Sequence, residues 1–317
     1  MAERERGAAL LTVLLLVAVI AVIAAGALER LRVSTRLAGN AAALDQARGL
    51  AFAAETLATT RITALLSRSP DRVALVGGWS NRPYALPVPG GVATARITDG
   101  GNCFNLNGLV IRTGDTDLTP YTQALTQFAQ LMRLVGVPGD PEAIAAATAD
   151  WIDTDEDMSP SGAEDSSYQR YRTGGTLMVD PSELRAVTGV TPEVYAKLRP
   201  WVCTLPVARM TPVNVNTLSP EQAPLVAMLL PDGANVGAIR GALLRRPETG
   251  YESVEAFRNQ LSLSGETTGL QGVAVTSKWF ALRIDVAMGG ATLEEHALVD
   301  ASTLPAQLVS RQWGEAS

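Results

Sequence analysis

The chain has 317 residues, 47% of them apolar, and 26 basic against 32 acidic side chains give a formal charge of -6. Such length and apolar content build two or three compact cores and exclude a disordered tail. A single histidine, His296, excludes histidine-based triads and multi-histidine metal sites, and the acidic balance disfavours nucleic acid and other anionic partners.

A short charged leader, MAERERG, precedes Ala8 to Leu28, 21 residues without a charge. At 1.5 Å per residue this run spans roughly the 30 Å of a bilayer core, and it exceeds the apolar region of about 7 to 15 residues in a cleaved secretory signal. It reads as a membrane-spanning helix. Arg4 and Arg6 before it, and Arg30, Arg32 and Arg36 after it, leave its orientation undecided by charge. Apolar residues continue at three-to-four spacing, from Leu28, Leu31 and Leu37 to Ile62, Leu65 and Leu66, with no proline before Pro70. The periodicity predicts one rod from Ala8 to Ser69, about 90 Å long if unbroken, whose second half needs a sheet to cover it. Gly26, Gly39 and Gly49 each weaken it by about 1 kcal/mol and are the places for bends.

Strands are predicted over Gly91 to Thr98, in KWFALRIDVAM and ATLEEHALVDA on either side of Gly289-Gly290, and from Gln307 to Trp313. Between them lies a large insertion with helical signals. LTPYTQALTQFAQLMRLVG offers a threonine cap and apolar spacing, while DPEAIAAATADWI, DPSELRAV and TPEVYAKLRPWV each open on a capping residue followed by Pro. The predicted fold class is α+β: a long N-terminal helix on an antiparallel sheet, with an all-helical domain inserted between strands.

The segment DWIDTDEDMSPSGAED is the most charged part. Nine carboxylates fall between Asp140 and Asp165, with no Lys or Arg from 134 to 169. Counted from Asp153, an EF-hand template finds Asp155, Asp157 and, at its twelfth place, Glu164, but Met158 occupies the position that the sharp turn reserves for Gly. An EF-hand is therefore rejected. Two readings remain open, a solvated acidic turn and an oxygen cage of another shape, since so many carboxylates without a cation repel one another.

The junction Gly7-Ala8, a charged leader ending in Gly against a long apolar helix, resembles the class III leader of the type IV pilin and pseudopilin superfamily. That resemblance implies a prepilin peptidase that cuts after Gly7, leaves the helix in place, and yields a methylated N-terminus at Ala8. Most members carry Glu as the fifth mature residue; here it is Thr12, and in this the chain resembles the minor pseudopilin K of type II secretion, which lacks that Glu. DGGNCFNLN, DWID, GAED-x-x-Y, SELR, GVTPEVY and TPVNVNT resemble that family in the same order. The family implies calcium in the acidic segment, carried over here to Asp153, Asp155, Asp157, Glu164 and Asp165, with Glu156 in reserve. It also implies the minor pseudopilins I and J as partners with H nearby, contact with inner-membrane lipid, a periplasmic body and a tip position in fibre assembly. No nucleic acid is expected.

With the body outside the cytoplasm, a bridge between Cys103 and Cys203 is permitted, and closing about 100 residues stabilises by roughly 4 to 5 kcal/mol in the chain-entropy model. Two unpaired thiols are the alternative. TPVNVNTLSPEQ and the short helices after it also resemble helix-hairpin-helix modules, which makes a membrane-anchored DNA receptor the rival function. Its basic surface is thin: Arg240, Arg245 and Arg246. Catalysis is not expected, for there is no phosphate loop and the carboxylates sit in one polar loop without aromatic subsites. The layout expected is a leader at 1–7, a membrane span at 8–28 continuing as helix to about 69, a pilin-like part at 70–100 and 278–317, and the insertion at 101–277, in lobes of about 101–205 and 206–277.

Overall fold

The computed structural model describes residues 2–230, 235–261 and 268–314, with the side chains of 2–8 and of 268–269 left aside. Helix α1, Ala2–Arg68, runs unbroken for 67 residues. The three glycines do not interrupt it, and each faces open space, with nothing within 4 Å of where a Cβ would stand. Residues 9–42 are exposed throughout, and the helix is long and apolar enough to cross a membrane, with a mean hydropathy of 2.9 in its most apolar window. Thr12, in this stretch, turns its hydroxyl back onto the carbonyl of Ala9 at 2.8 Å. Burial begins at Ala43 and recurs at Ala47, Ala51, Ala54, Ala58 and Ile62. This is a helical stripe of small residues that brings the backbone close to a sheet.

After α1 come β1 (Tyr84–Val88) and β2 (Gly91–Asp99), then the short strands β3 (Phe104–Asn105), β4 (Val110–Thr113) and β5 (Asp117–Pro120). Helices α2 (Thr122–Leu134), α3 (Pro141–Ile152) and α4 (Pro192–Leu198) follow, then β6 (Val202–Cys203) and β7 (Val213–Asn214). The chain continues through α5 (Ala223–Ala227), α6 (Val236–Leu244), α7 (Val254–Gln260) and β8 (Val273–Ala274) to β9 (Trp279–Met288), β10 (Ala291–Asp300) and β11 (Gln307–Trp313). One antiparallel sheet has the order β1-β2-β9-β10-β11. Gly289 and Gly290, with φ of 56° and 88°, make the predicted two-residue turn between β9 and β10. Ala95 and Ile97 of β2, Leu282 and Ile284 of β9 and Val299 of β10 form the inner face under the α1 stripe. Strand β1 was not foreseen, because Pro87 breaks its pattern, and proline is tolerated only at the edge where it lies.

The insertion leaves the sheet after β2 and returns at β9, with its own core around Phe104, Phe128, Leu131, Ile152, Leu184 and Leu198. Its helices begin where the capping signals place them: Asp140 accepts from the backbone N–H groups of Glu142 and Ala143, and Thr191 accepts from that of Val194. DPSELRAV forms a 3-10 helix over Pro181–Ala186, closed by a capping box between Asp180 and Glu183. The expected threonine cap of α2 is not used. Leu118–Pro120 is instead drawn into β5, paired with β4 across Gly114 (φ 75°), and Tyr121 takes the cap position. The insertion is thus helical with three short strand pairs, β3 with β6, β4 with β5 and β7 with β8.

The motif DGGNCFNLN locks this body together through buried asparagines. Asn102 accepts from the backbone N–H of Asn214, and Asn107 donates to the carbonyls of Met178 and Leu205. Asn105 donates to the carbonyls of Val207 and Arg209 and accepts from Leu205 N–H. Each side chain thereby satisfies backbone groups 70 to 120 residues away that would otherwise be buried unpaired. Beside the β3–β6 pair, Cys103 and Cys203 form a disulfide with Cα atoms 5.8 Å apart.

Candidate metal centre

The last turn of α3 carries Asp150 and, one turn on, Asp153, so both carboxylates leave the same face of the helix. The chain then loops out through 154–163 and returns with Glu164. Asp150, Asp153 and Glu164 are all buried, at 0%, 1% and 3% exposure, and one oxygen from each lies within 4.8 Å of the others. The loop is folded onto this point by Asp150 itself, whose Oδ2 accepts from the backbone N–H groups of Ser159 and Ala163 at 3.2 and 2.9 Å. Gly162 is required by that closeness, because a Cβ there would stand 2.8 Å from Cγ of Asp150. Trp151, between the two aspartates in sequence, lies edge-on to Tyr168 and Tyr171 at 5.6 and 6.0 Å.

The remaining oxygens have no protein partner. Oδ1 of Asp150, both oxygens of Asp153 and both of Glu164 are buried without a hydrogen bond. Burial, reinforced by the charges of Asp155, Glu164 and Asp150, pushes the Asp153 carboxyl up to about 8. Burial and the charge of Asp150 push Glu164 to about 7. Buried carboxylates are normally paired, so five orphaned oxygens on three converging carboxylates form a donor set that a hard, oxygen-seeking cation fits and that nothing else among the described residues satisfies.

Of the five residues predicted from the sequence, the structure brings together Asp153 and Glu164. Asp155 is exposed at the rim, where its Oδ1 accepts from Asp157 N–H at 2.9 Å and its charge bears on Asp153. Asp157 and the reserve Glu156 face solvent. Asp165 points elsewhere, since its Oδ1 accepts from the backbone N–H and hydroxyl of Thr173 at 2.8 and 2.9 Å, which holds its carboxyl below the usual range. Asp150 was missed because loop spacing was counted from Asp153. Its signal was the i,i+3 pair of DWID at a helix end. Gly7 and Ala8 lie on the first turns of α1.

The helix-hairpin-helix resemblance falls on α5 and α6, and its connecting residues 231–234 lie outside the described residues. Arg246 is turned inward and donates to the carbonyls of Val215 and Leu218, while Arg240 pairs with Glu221 at 3.3 Å. Of the three arginines, Arg240 and Arg245 are exposed, and Arg246 is half-buried.

An apolar rod clad at one end by an antiparallel sheet, with a second body inserted between the strands, defines a pseudopilin subunit. The family model described as "Type II secretion system (T2SS), protein K" matches residues 102–207 and 213–277. Type II secretion system protein K of Pectobacterium carotovorum is 34% identical over 99% of this chain and 98% of its own, and that of Klebsiella pneumoniae 35% over the same shares. Among solved structures, a chain of the GspK-GspI-GspJ complex of the enterotoxigenic Escherichia coli type 2 secretion system superposes with a TM-score of 0.74 at 30% identity, covering 86% of this chain and 97% of that one. The chain belongs to the type II secretion system protein K family, and is a minor pseudopilin of that system.

Proposed function

We propose that this subunit sits at the tip of the type II secretion pseudopilus and, with the minor pseudopilins I and J and with H nearby, initiates fibre assembly for export of folded proteins across the outer membrane. The observation that carries this reading is the likeness to the complex of K with I and J, at a TM-score of 0.74. The inserted body adds a steric argument, because a lobe of that size above the rod leaves little room for a further subunit. Thr12 adds a second argument, for it stands where most members of the superfamily carry Glu, and its hydroxyl donates to the Ala9 carbonyl of its own helix. The role is one of assembly, not catalysis.

Residues 8–28 anchor the chain in the bacterial inner membrane as a single pass, after a prepilin peptidase removes residues 1–7 and Ala8 is methylated. The body lies in the periplasm, a reading supported by the Cys103–Cys203 disulfide, which persists in oxidising compartments. It is organised as a pilin-like part, 70–100 and 278–317, and an insertion, 101–277, divided near 205. Calcium is the ion proposed for Asp150, Asp153 and Glu164, with Asp155 at the rim. Bound there, it neutralises the three carboxylates and ties the end of α3 to the returning loop.

Two experiments test this function. Full-length chain solubilised in detergent should co-purify with I and J, and charge reversal on the exposed α1 residues Arg32 and Arg36 should reduce that yield; unaltered co-purification overturns the placement of partners along α1. In thermal melts, millimolar calcium should raise Tm over chelator while magnesium does not, through preferential binding to the native state. Asp153→Ala should abolish the rise. A rise of equal size in that variant removes calcium from this site.

A further inference from the structure

The last two turns of α1 carry Arg61, Leu65 and Arg68 at i, i+4 and i+7, on one face of the helix. Together with the 3-10 turn that begins at Val76, with Trp79 and with Tyr84 at the start of β1, that face lines a groove of about 270 Å³. Its walls are fixed. Gly77 and Gly78 turn the chain with φ of 78° and 61°, and Trp79 Nε1 donates to the Ala74 carbonyl at 2.7 Å. Tyr84 is half-buried, and the Arg61 guanidinium lies over its ring, 4.5 Å from the centroid. The groove is therefore formed before anything enters it.

Two parts of the lining are left unmet. Leu65 is only half-buried and Val76 is 57% exposed, so an apolar strip faces water. Arg61 and Arg68 are both exposed, and no carboxylate lines the groove. Elsewhere on α1 and the sheet Arg48 pairs with Asp45, Arg96 with Asp285 and Arg311 with Glu55, whereas among the described residues Arg61 and Arg68 make no ion pair. In a chain of net charge -6, two unpaired guanidiniums in one groove are a local reversal of sign. Stacking on Tyr84 holds the plane of Arg61 and leaves its in-plane N–H groups for a carboxylate. Arginine beside an aromatic ring is also the composition that protein interfaces favour.

The volume exceeds the roughly 150 Å³ that holds a benzene ring in an engineered cavity, so it admits an aliphatic side chain with some of its backbone. A bare inorganic anion leaves the Leu65–Val76 strip wet, and an uncharged apolar ligand gains nothing from the guanidiniums. Nucleic acid needs a longer basic track than two side chains in an acidic protein. A lipid headgroup is out of reach on the membrane placement proposed above, because the unbroken helix rises roughly 50 Å from Leu28 to Arg61. We propose that this groove docks an acidic segment of a partner protein that carries a large aliphatic side chain. The aliphatic group covers Leu65 and Val76, and flanking carboxylates pair with Arg61 and Arg68.

Isothermal titration of the full-length chain in detergent tests this with capped tetrapeptides at constant ionic strength: Glu-Leu-Leu-Glu, the neutral Gln-Leu-Leu-Gln, and Glu-Ser-Ser-Glu, which lacks the aliphatic groups. Saturable binding of Glu-Leu-Leu-Glu is expected, about tenfold tighter than the neutral peptide, the size of one charge-assisted hydrogen bond, and about tenfold tighter than the serine peptide, the size of one buried leucine. Arg61→Gln and Arg68→Gln should each weaken it several-fold. Val76→Asp puts a negative charge on a side chain that is already largely exposed, so it should weaken the acidic peptide at least tenfold without lowering Tm, which a purely structural valine would not do. Absence of saturable binding, equal binding of the neutral peptide, binding unchanged in the Arg61→Gln/Arg68→Gln double variant, or displacement by inorganic phosphate at concentrations equal to the peptide's overturns the proposal.

Discussion

Arg311 on β11 donates through Nε and Nη2 to one carboxylate oxygen of Glu55 on α1, at 2.9 and 2.6 Å, and so fastens the edge of the sheet to the helix. Its guanidinium also lies over Phe52, 4.6 Å from the ring centroid. Beneath it Glu295, fully buried on β10, is 3.4 Å from Arg311 Nε, yet neither of its oxygens meets a well-aligned donor. Burial first, and then Glu55, push the Glu295 carboxyl from 4.5 up to about 7.

This arrangement makes stability depend on pH. Between 4.5 and about 7 the folded chain holds a proton on Glu295 that the unfolded chain has released. The contribution is therefore full below 4.5 and is lost as pH rises through about 7, a loss on the order of 1–3 kcal/mol. Glu295→Gln stays neutral throughout, so its denaturation midpoint should exceed that of the parent at about pH 8 and its profile should be flatter between about pH 5 and 7.5. Parallel profiles in the two proteins count against Glu295 as the source.

Gly162→Ala places a methyl group against the Asp150 carboxylate. The loop must shift to relieve the clash, with an expected loss of about 1–3 kcal/mol, and the calcium-dependent rise in Tm should shrink with it. Melts in chelator and in calcium separate the two effects. An unchanged calcium response would show that the loop closes without that approach.

Much of this was legible in the sequence, and the failures have physical causes. The long helix, the β9–β10 hairpin and the capped helices α3 and α4 carry local signals, in periodicity, paired glycines and Asp-Pro or Thr-Pro starts. Strand β5 was hidden because its Leu-Thr-Pro resembles a helix start, and only the pairing with β4 decides otherwise. The acidic site was half legible: Asp153 and Glu164 were named, while Asp165 is claimed by Thr173, a contact made only in the folded loop. Composition shows that carboxylates cluster, but burial decides which of them converge, and burial depends on the whole insertion.

Replacing Cys103 and Cys203 together with Ser opens a loop spanning 100 residues. The chain-entropy estimate for that loop is about 4–5 kcal/mol. Denaturant titration of the double variant should show a loss of that order, largest in probes of the insertion, while the α1–sheet contact keeps its own core. Equal loss in both parts would mean that they unfold as one unit.

Gly7→Val should block removal of the leader. Mass spectrometry of the purified variant should then find residues 1–7 still attached, whereas the proposed processing predicts a parent that begins at a methylated Ala8. A mature N-terminus in the variant overturns the class III reading.

The exposure of α1 over residues 9–42 sets a distance. If residues 8–28 lie in lipid, the helix from there to its first buried residue, Ala43, rises about 20 Å as a bare mast. On that placement the body would be carried at a fixed height above the bilayer, and the stand-off would work as a gauge: a neighbour with a helix of the same exposed length would hold its body at the same level, and one with a shorter or bent helix would be out of register.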